Sequence, residues 1–109
     1  MPARAGCGSL RAMPGAYWIN TVREVRDPDK LAAYVRLAGP AIAAAGGRFV
    51  ARGSAAAAFE EGTTERTALI RFDSVDDAVA AYESKAYQQA LVALADGAVR
   101  DIRIIEAID

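Results

Sequence analysis

Apolar and polar positions along this chain follow two rhythms, one of period two and one of helical period. From Ala16 to Arg26 (AYWINTVREVR) aromatic and β-branched residues run without Gly or Pro, which predicts a strand. Asp27-Pro28 then opens a helix, with Asp27 placed to cap free N–H groups and Pro28 fitting the first turn. Leu31, Tyr34, Val35, Ala38, Ile42 and Ala45 recur at helical spacing and define its buried stripe. Gly39-Pro40 interrupts this pattern and predicts a kink or short break. Such a bend either wraps the helix around a sheet or opens the edge of a pocket.

Gly46-Gly47 stops the helix, because glycine enters the left-handed conformation without a steric penalty. Arg48 to Arg52 reads as the second strand, with an irregular continuation through Ala55 to Phe59. Glu61-Gly62-Thr63-Thr64 is a turn, and Arg66 to Phe72 (RTALIRF) is the third strand. Ser74 caps the second helix, with Asp77 three residues on and Val75, Ala78, Val79 and Tyr82 as its apolar stripe. Ser84 restarts a short helix through Tyr87, Leu91 and Leu94, which Gly97 ends. Val99 to Ile108 (VRDIRIIEAI) is the last strand.

The order β-α-β-β-α-β predicts an α+β, ferredoxin-like fold: a four-stranded antiparallel sheet with helices on one face. The other face should be polar in a monomer. Here both faces carry apolar residues: Ile102 and Ile104 against Ile105 and Ala107, Ala68, Ile70 and Phe72 against Leu69, Trp18 and Val22 against Tyr17 and Ile19. A second copy of the same sheet is the simplest cover, and a homodimer is expected.

Composition narrows the chemistry. The 109 residues predict residues 1–15 as a flexible N-terminal tail and residues 16–109 as one domain. Met13 is an alternative start, since organised sequence begins at Ala16. The formal net charge is -1, and residues 16–109 carry eleven Lys/Arg against fourteen Asp/Glu. No field draws such a domain to nucleic acid or to an anionic membrane, so neither is an expected partner. The third strand lacks the paired aromatic platform of RNA-recognition sheets. No apolar run is long enough to span a bilayer, and residues 1–15 lack the apolar core of a signal peptide. Cys7 is the only cysteine, so nothing argues for an oxidising compartment, and a cytoplasmic location is expected. Histidine is absent. That excludes Ser-His-Asp and Cys-His nucleophile pairs, an ordinary zinc site and a histidine-ligated haem. No metal or other cofactor is expected, and acid/base work would fall to carboxylates, tyrosines or lysines. Asp76-Asp77 and Glu60-Glu61 are sequence neighbours, read as a helix-start charge and a solvated turn.

Arg48 and Arg52 stand four apart on a regular strand and should share one face. They either clamp a carboxylate or phosphate, or lie at a sheet edge paired with acids such as Glu60 or Glu106. Trp18 and Asn20 share a face of the first strand. A buried Asn20 needs partners, supplied by a neighbouring strand or by a ligand. Tyr34, Tyr82 and Tyr87 are core tyrosines with hydroxyls reaching outward, or phenols that donate to a substrate. Trp18, Asn20, Tyr34, Arg48, Arg52 and Tyr82 are therefore the candidate ligand-binding residues; no catalytic residue is assigned.

The order and spacing of several short pieces carry a family resemblance. They are Ala16-Tyr17-Trp18-Ile19, Asp27-Pro28, Gly39-Pro40-Ala41-Ile42, Gly46 to Gly53, Phe72-Asp73-Ser74, Tyr82-Glu83-Ser84 with Tyr87-Gln88, Arg100-Asp101 and Ile104-Ile105-Glu106. Together they span residues 16–108, and the chain resembles the domain-of-unknown-function 1330 family of the dimeric α+β barrel superfamily. The resemblance implies a homodimer with facing sheets and helices outside, and no agreed activity. Related superfamily members include cofactor-free monooxygenases and isomerases, so whether the chain is an enzyme stays open. Two departures stand out: Ser84-Lys85-Ala86-Tyr87 replaces the family's Ser-Pro-Glu-Tyr, and Ala95 stands where an arginine is expected. The reading is a homodimer that binds a small organic anion, with or without metal-free, haem-free catalysis; the alternative is a structural or binding dimer without a ligand pocket.

Overall fold

The computed structural model describes residues 14–108; the tail expectation, Cys7 and Met13 lie outside that range. The elements are β1 (Ala16–Val25), α1 (Pro28–Ala44), β2 (Arg48–Ser54), β3 (Arg66–Phe72), α2 (Val75–Glu83), α3 (Lys85–Leu94) and β4 (Ala98–Glu106). The strands form one antiparallel sheet in the order β2-β3-β1-β4. The fold is ferredoxin-like, with the second helical segment divided in two at Ser84.

Short side chains set the helix starts. The Asp27 carboxylate accepts from the backbone N–H groups of Asp29 (3.0 Å) and Lys30 (3.2 Å). The hydroxyls of Ser74 and Ser84 accept from Asp77 (3.0 Å) and Tyr87 (3.3 Å). Each satisfies a donor that the helix leaves free. The expected break at Gly39-Pro40 does not occur: α1 runs unbroken from Pro28 to Ala44 with Pro40 inside it. Burial of Tyr34, Ala38, Ala41 and Ile42 on both sides of Pro40 holds the helix together across the one missing donor.

The two glycines after α1 do different jobs. Gly46 takes φ +97°, the conformation that stops the helix. Gly47 makes room, since a Cβ there would lie 2.6 Å from Ile42 Cγ2 and 2.7 Å from Phe72 Cζ. At the end of α3 the expected stop at Gly97 is displaced: Ala95 takes the positive φ of 46°. Gly97 instead permits a close approach, because a Cβ would sit 2.7 Å from Lys30 Cβ. Its carbonyl accepts from Arg26 and Asp27, tying the α3–β4 turn to the start of α1. The stripe of α2 also differs: Ala81 is buried with Ala78, and Val79 faces outward. β2 ends at Ser54, and Phe59 in the following loop is exposed.

The core lies between the helices and one sheet face. Trp18, Ile70, Phe72 and Tyr87 are its largest fully buried side chains. Trp18 stacks near Phe72 (6.0 Å between centroids) and meets Tyr87 edge-on at 5.0 Å. The opposite face carries Tyr17, Ile19, Leu69 and Ile105, with Ile105 56% exposed. Arg71 and Arg103 flank this apolar strip in register, Arg71 donating to the Tyr17 hydroxyl at 2.9 Å. No helix among the described residues is long and apolar enough to cross a membrane.

Candidate functional site

The register of β2 decides which arginines reach the helix side. Phe49 stands opposite Ile70 and Ala51 opposite Leu69, so the bulge at Val50 adds one residue to β2. The alternation shifts there. Arg52 pairs with Ala68 and shares the helix face with Phe49, its guanidinium carbon 4.4 Å from the Phe49 centroid. Arg48 pairs with Arg71 on the outer face. The expected Arg48–Arg52 pair on one face is therefore corrected: the bulge sends the two side chains to opposite sides of the sheet.

The second guanidinium on the helix side is Arg66, two residues before Ala68 on β3. Arg52 and Arg66 line the mouth of a cleft between α1 and the sheet. Asn20, Tyr34, Ala38 and Ile42 line its inner part. An added Cβ at Gly39 would meet nothing within 4 Å, so this glycine leaves open space at the cleft edge. The inner cavity is small, about 30 Å³, which is room for about one water. The Asn20 Oδ1 is buried there without a hydrogen-bond partner. Neither Arg52 nor Arg66 forms an ion pair among the described residues.

Tyr34 closes the cleft on its inner side. Its hydroxyl lies 2.7 Å from that of Tyr87, a buried bond joining α1 to α3. Burial, with Tyr34 adding to it, pushes the Tyr87 phenol well above its ordinary value of 10.0. Tyr87 therefore stays protonated at neutral pH. Behind Tyr34 lies Arg100 of β4, its guanidinium carbon 4.5 Å from the Tyr34 centroid. Arg100 Nη1 and Trp18 Nε1 are also buried without partners. Trp18 packs against Tyr82 at 5.7 Å between centroids.

Of the residues expected from sequence, Asn20, Tyr34 and Arg52 share the cleft. Trp18 and Tyr82 belong to the aromatic core beside it, and Arg48 is elsewhere. Arg66 and Arg100 were missed, although each had a signal. Arg66 is in phase with Ala68, Ile70 and Phe72, and Arg100 with Ile102 and Ile104. An arginine in phase with a buried stripe must lie on the covered face. Among the described residues no group of three or more His, Cys, Asp or Glu is placed to hold a metal ion.

A ferredoxin-like α+β domain with an arginine-edged cleft under its first helix is the class this geometry defines. The chain belongs to the DUF1330 family, described as a domain of unknown function, whose model matches residues 15–108. Among solved structures it is similar to the RPA0582 protein of unknown function from Rhodopseudomonas palustris (20% identity, TM-score 0.68, covering 89% of this chain and 85% of that one). It is also similar to SnoaB, a cofactor-independent oxygenase from Streptomyces nogalater (12% identity, TM-score 0.63, covering 88% and 95%). A third is a dimeric ferredoxin-like protein of unknown function from Thermobifida fusca (17% identity, TM-score 0.63, covering 91% and 95%). These likenesses concern the fold. A search of curated proteins found no match.

Proposed function

We propose that residues 16–109 act as one domain, that two copies pair through the outer sheet faces, and that each binds a small organic anion in the cleft under α1. The observation that carries the ligand reading is the combination of two guanidiniums without acids, Arg52 and Arg66, with the unpartnered Asn20 Oδ1 behind them. Guanidiniums recognise carboxylate oxygens in bidentate fashion, while a buried amide oxygen asks for a donor. The inner cavity admits only a small group. The ligand is accordingly a compact carboxylate bearing a hydroxyl or N–H, with its charge at the mouth and its donor toward Asn20.

Pairing is supported by the apolar strip of Tyr17, Ile19, Leu69 and Ile105, which no helix covers. The dimeric protein from Thermobifida fusca shares the fold. The likeness to a cofactor-independent oxygenase keeps catalysis in view by analogy of fold. The Tyr34 hydroxyl, bonded to that of Tyr87, is the phenol that such a reaction would find in the cleft.

A thermal-shift screen of small hydroxycarboxylates tests the ligand. A stabilising hit should disappear in Arg52→Ala and in Arg66→Ala and persist in Arg48→Ala, whose side chain lies on the other face. A hit untouched by the first two substitutions retires the cleft.

A further inference from the structure

A second hollow lies on the far side of Tyr34, between the α2–α3 segment and β4. Its volume is about 540 Å³, within the usual range for small-molecule sites. Tyr82, Leu94, Ala98, Ile102 and Ile104 line it together with Arg100, its one charged residue, so apolar and polar surface stand side by side.

Arg100 is held in an unusual way. Its guanidinium stacks over the Tyr34 ring at 4.5 Å, and Tyr34 is itself fixed by the 2.7 Å bond to Tyr87. No acid pairs with Arg100 among the described residues, and its Nη1 has no hydrogen-bond partner although buried. Stacking orders the guanidinium plane; the Tyr34 and Tyr87 hydroxyls are its polar neighbours, and no carboxylate answers its charge. An edge of parallel N–H donors matches the two oxygens of a carboxylate. A neutral polar ligand would leave the positive charge without a counter-charge. The walls add the second requirement, an apolar body attached to that carboxylate.

We infer that this hollow is a separate binding site, built on Arg100, for a monocarboxylate with a compact apolar body, aromatic or short-chain aliphatic. It goes beyond the cleft proposed above, since it uses none of Asn20, Arg52 and Arg66 and asks for an apolar ligand where the cleft asks for a hydroxylated one.

The test uses the full chain and benzoate as probe, with acetate and benzamide as controls. Trp18 is the only tryptophan, and it packs against Tyr82 on the wall, so its fluorescence reports occupancy. Benzoate should bind at least about tenfold tighter than either control, since acetate lacks the apolar body and benzamide the charge. Arg100→Gln should weaken benzoate about tenfold or more, and Arg52→Gln should leave it unchanged. If Arg100→Gln does not fold, Arg100→Lys keeps the charge and loses the fork; a clear loss of affinity in that folded variant supports the site. No benzoate binding at millimolar concentration overturns the inference. So does benzamide binding as well as benzoate, or a benzoate response that follows Arg52 rather than Arg100. In that last case the cleft under α1 stands and the second site falls.

Discussion

Both faces of this sheet carry arginines among apolar residues, yet the arginines are treated differently. On the outer face Asp101 receives Arg103 at 3.1 Å and Arg23 at 3.5 Å, and Arg71 donates to the Tyr17 hydroxyl, while Arg48 at the strand end meets no acid among the described residues. On the helix face Arg52 and Arg100 rest on aromatic rings, and with Arg66 they meet no acid among the described residues. The apolar residues reverse the order: Trp18, Ile70 and Phe72 are fully buried on the helix face, whereas Ile105 is half exposed on the outer one. A satisfied charge beside uncovered apolar surface suits a contact with another sheet. An unsatisfied charge beside a finished core suits a small ligand. The same residue types thus stand in two different settings, separated by what covers each face.

The largest effect expected is on the covered face. Trp18→Ala removes the centre of the aromatic cluster and should cost about 3–5 kcal/mol, read by chemical denaturation. Ile105→Ala, measured at a concentration where the chain is monomeric, should cost a small fraction of that. Comparable costs for the two would erase the contrast between the faces.

Next comes association. Ile105→Asp places a carboxylate in the apolar strip and should weaken self-association by about a hundredfold or more, with circular dichroism unchanged. Light scattering at micromolar concentration should then show the monomer mass. A wild-type protein that is already monomeric there would break the outer-face half of the comparison.

Tyr34→Phe removes the buried bond to the Tyr87 hydroxyl and should cost about 1–2 kcal/mol. A neutral substitution would mean that a ligand or water replaces that bond readily. Gly39 offers a smaller change. Gly39→Ala should shift stability by less than about 1 kcal/mol, because the helix propensity gained is offset by crowding of the new methyl against the Pro40 ring. Gly39→Leu should instead block ligand at the α1 cleft while leaving benzoate at the Arg100 hollow untouched. Loss of both together would mean that the two are one site.

The smallest effect concerns pH. The hydrogen bond from Arg103, with Arg23 near it, holds the Asp101 carboxyl below its ordinary 3.8. A carboxyl depressed in the folded state adds stability that is present above about pH 4 and fades as pH falls through the folded value. Asp101→Asn should therefore flatten the acid side of a melting-temperature profile and leave the neutral region almost unchanged. A profile equally steep in the variant would assign the acid loss elsewhere.

Much of this was legible in the sequence because local physics fixes it. The caps at Asp27, Ser74 and Ser84, the stop at Gly46 and the alternation along β1, β3 and β4 depend on residues within a turn or a strand of one another. The pairing of Trp18 with Asn20 on one face follows from the same alternation. Three matters did not yield to local reading. Pro40 sits inside α1 because packing against the sheet outweighs one lost backbone bond. The positive φ that ends α3 falls on Ala95, while Gly97 serves a contact with Lys30 far away in sequence. And Arg48 and Arg52 part company at a bulge that nothing in Phe49-Val50-Ala51 announces.

The sequence by itself determined the order of elements, the ferredoxin-like plan and the presence of two apolar sheet faces, since these rest on periodicity and turn chemistry. Only the tertiary structure decided which arginines stand together. One extra residue opposite Leu69 and Ile70 reverses the phase of a strand, and that residue is added by pairing between strands. The run from Gly46 to Gly53 therefore keeps its place in the fold, but its Arg52 works beside Arg66 of the neighbouring strand and not beside Arg48 of its own.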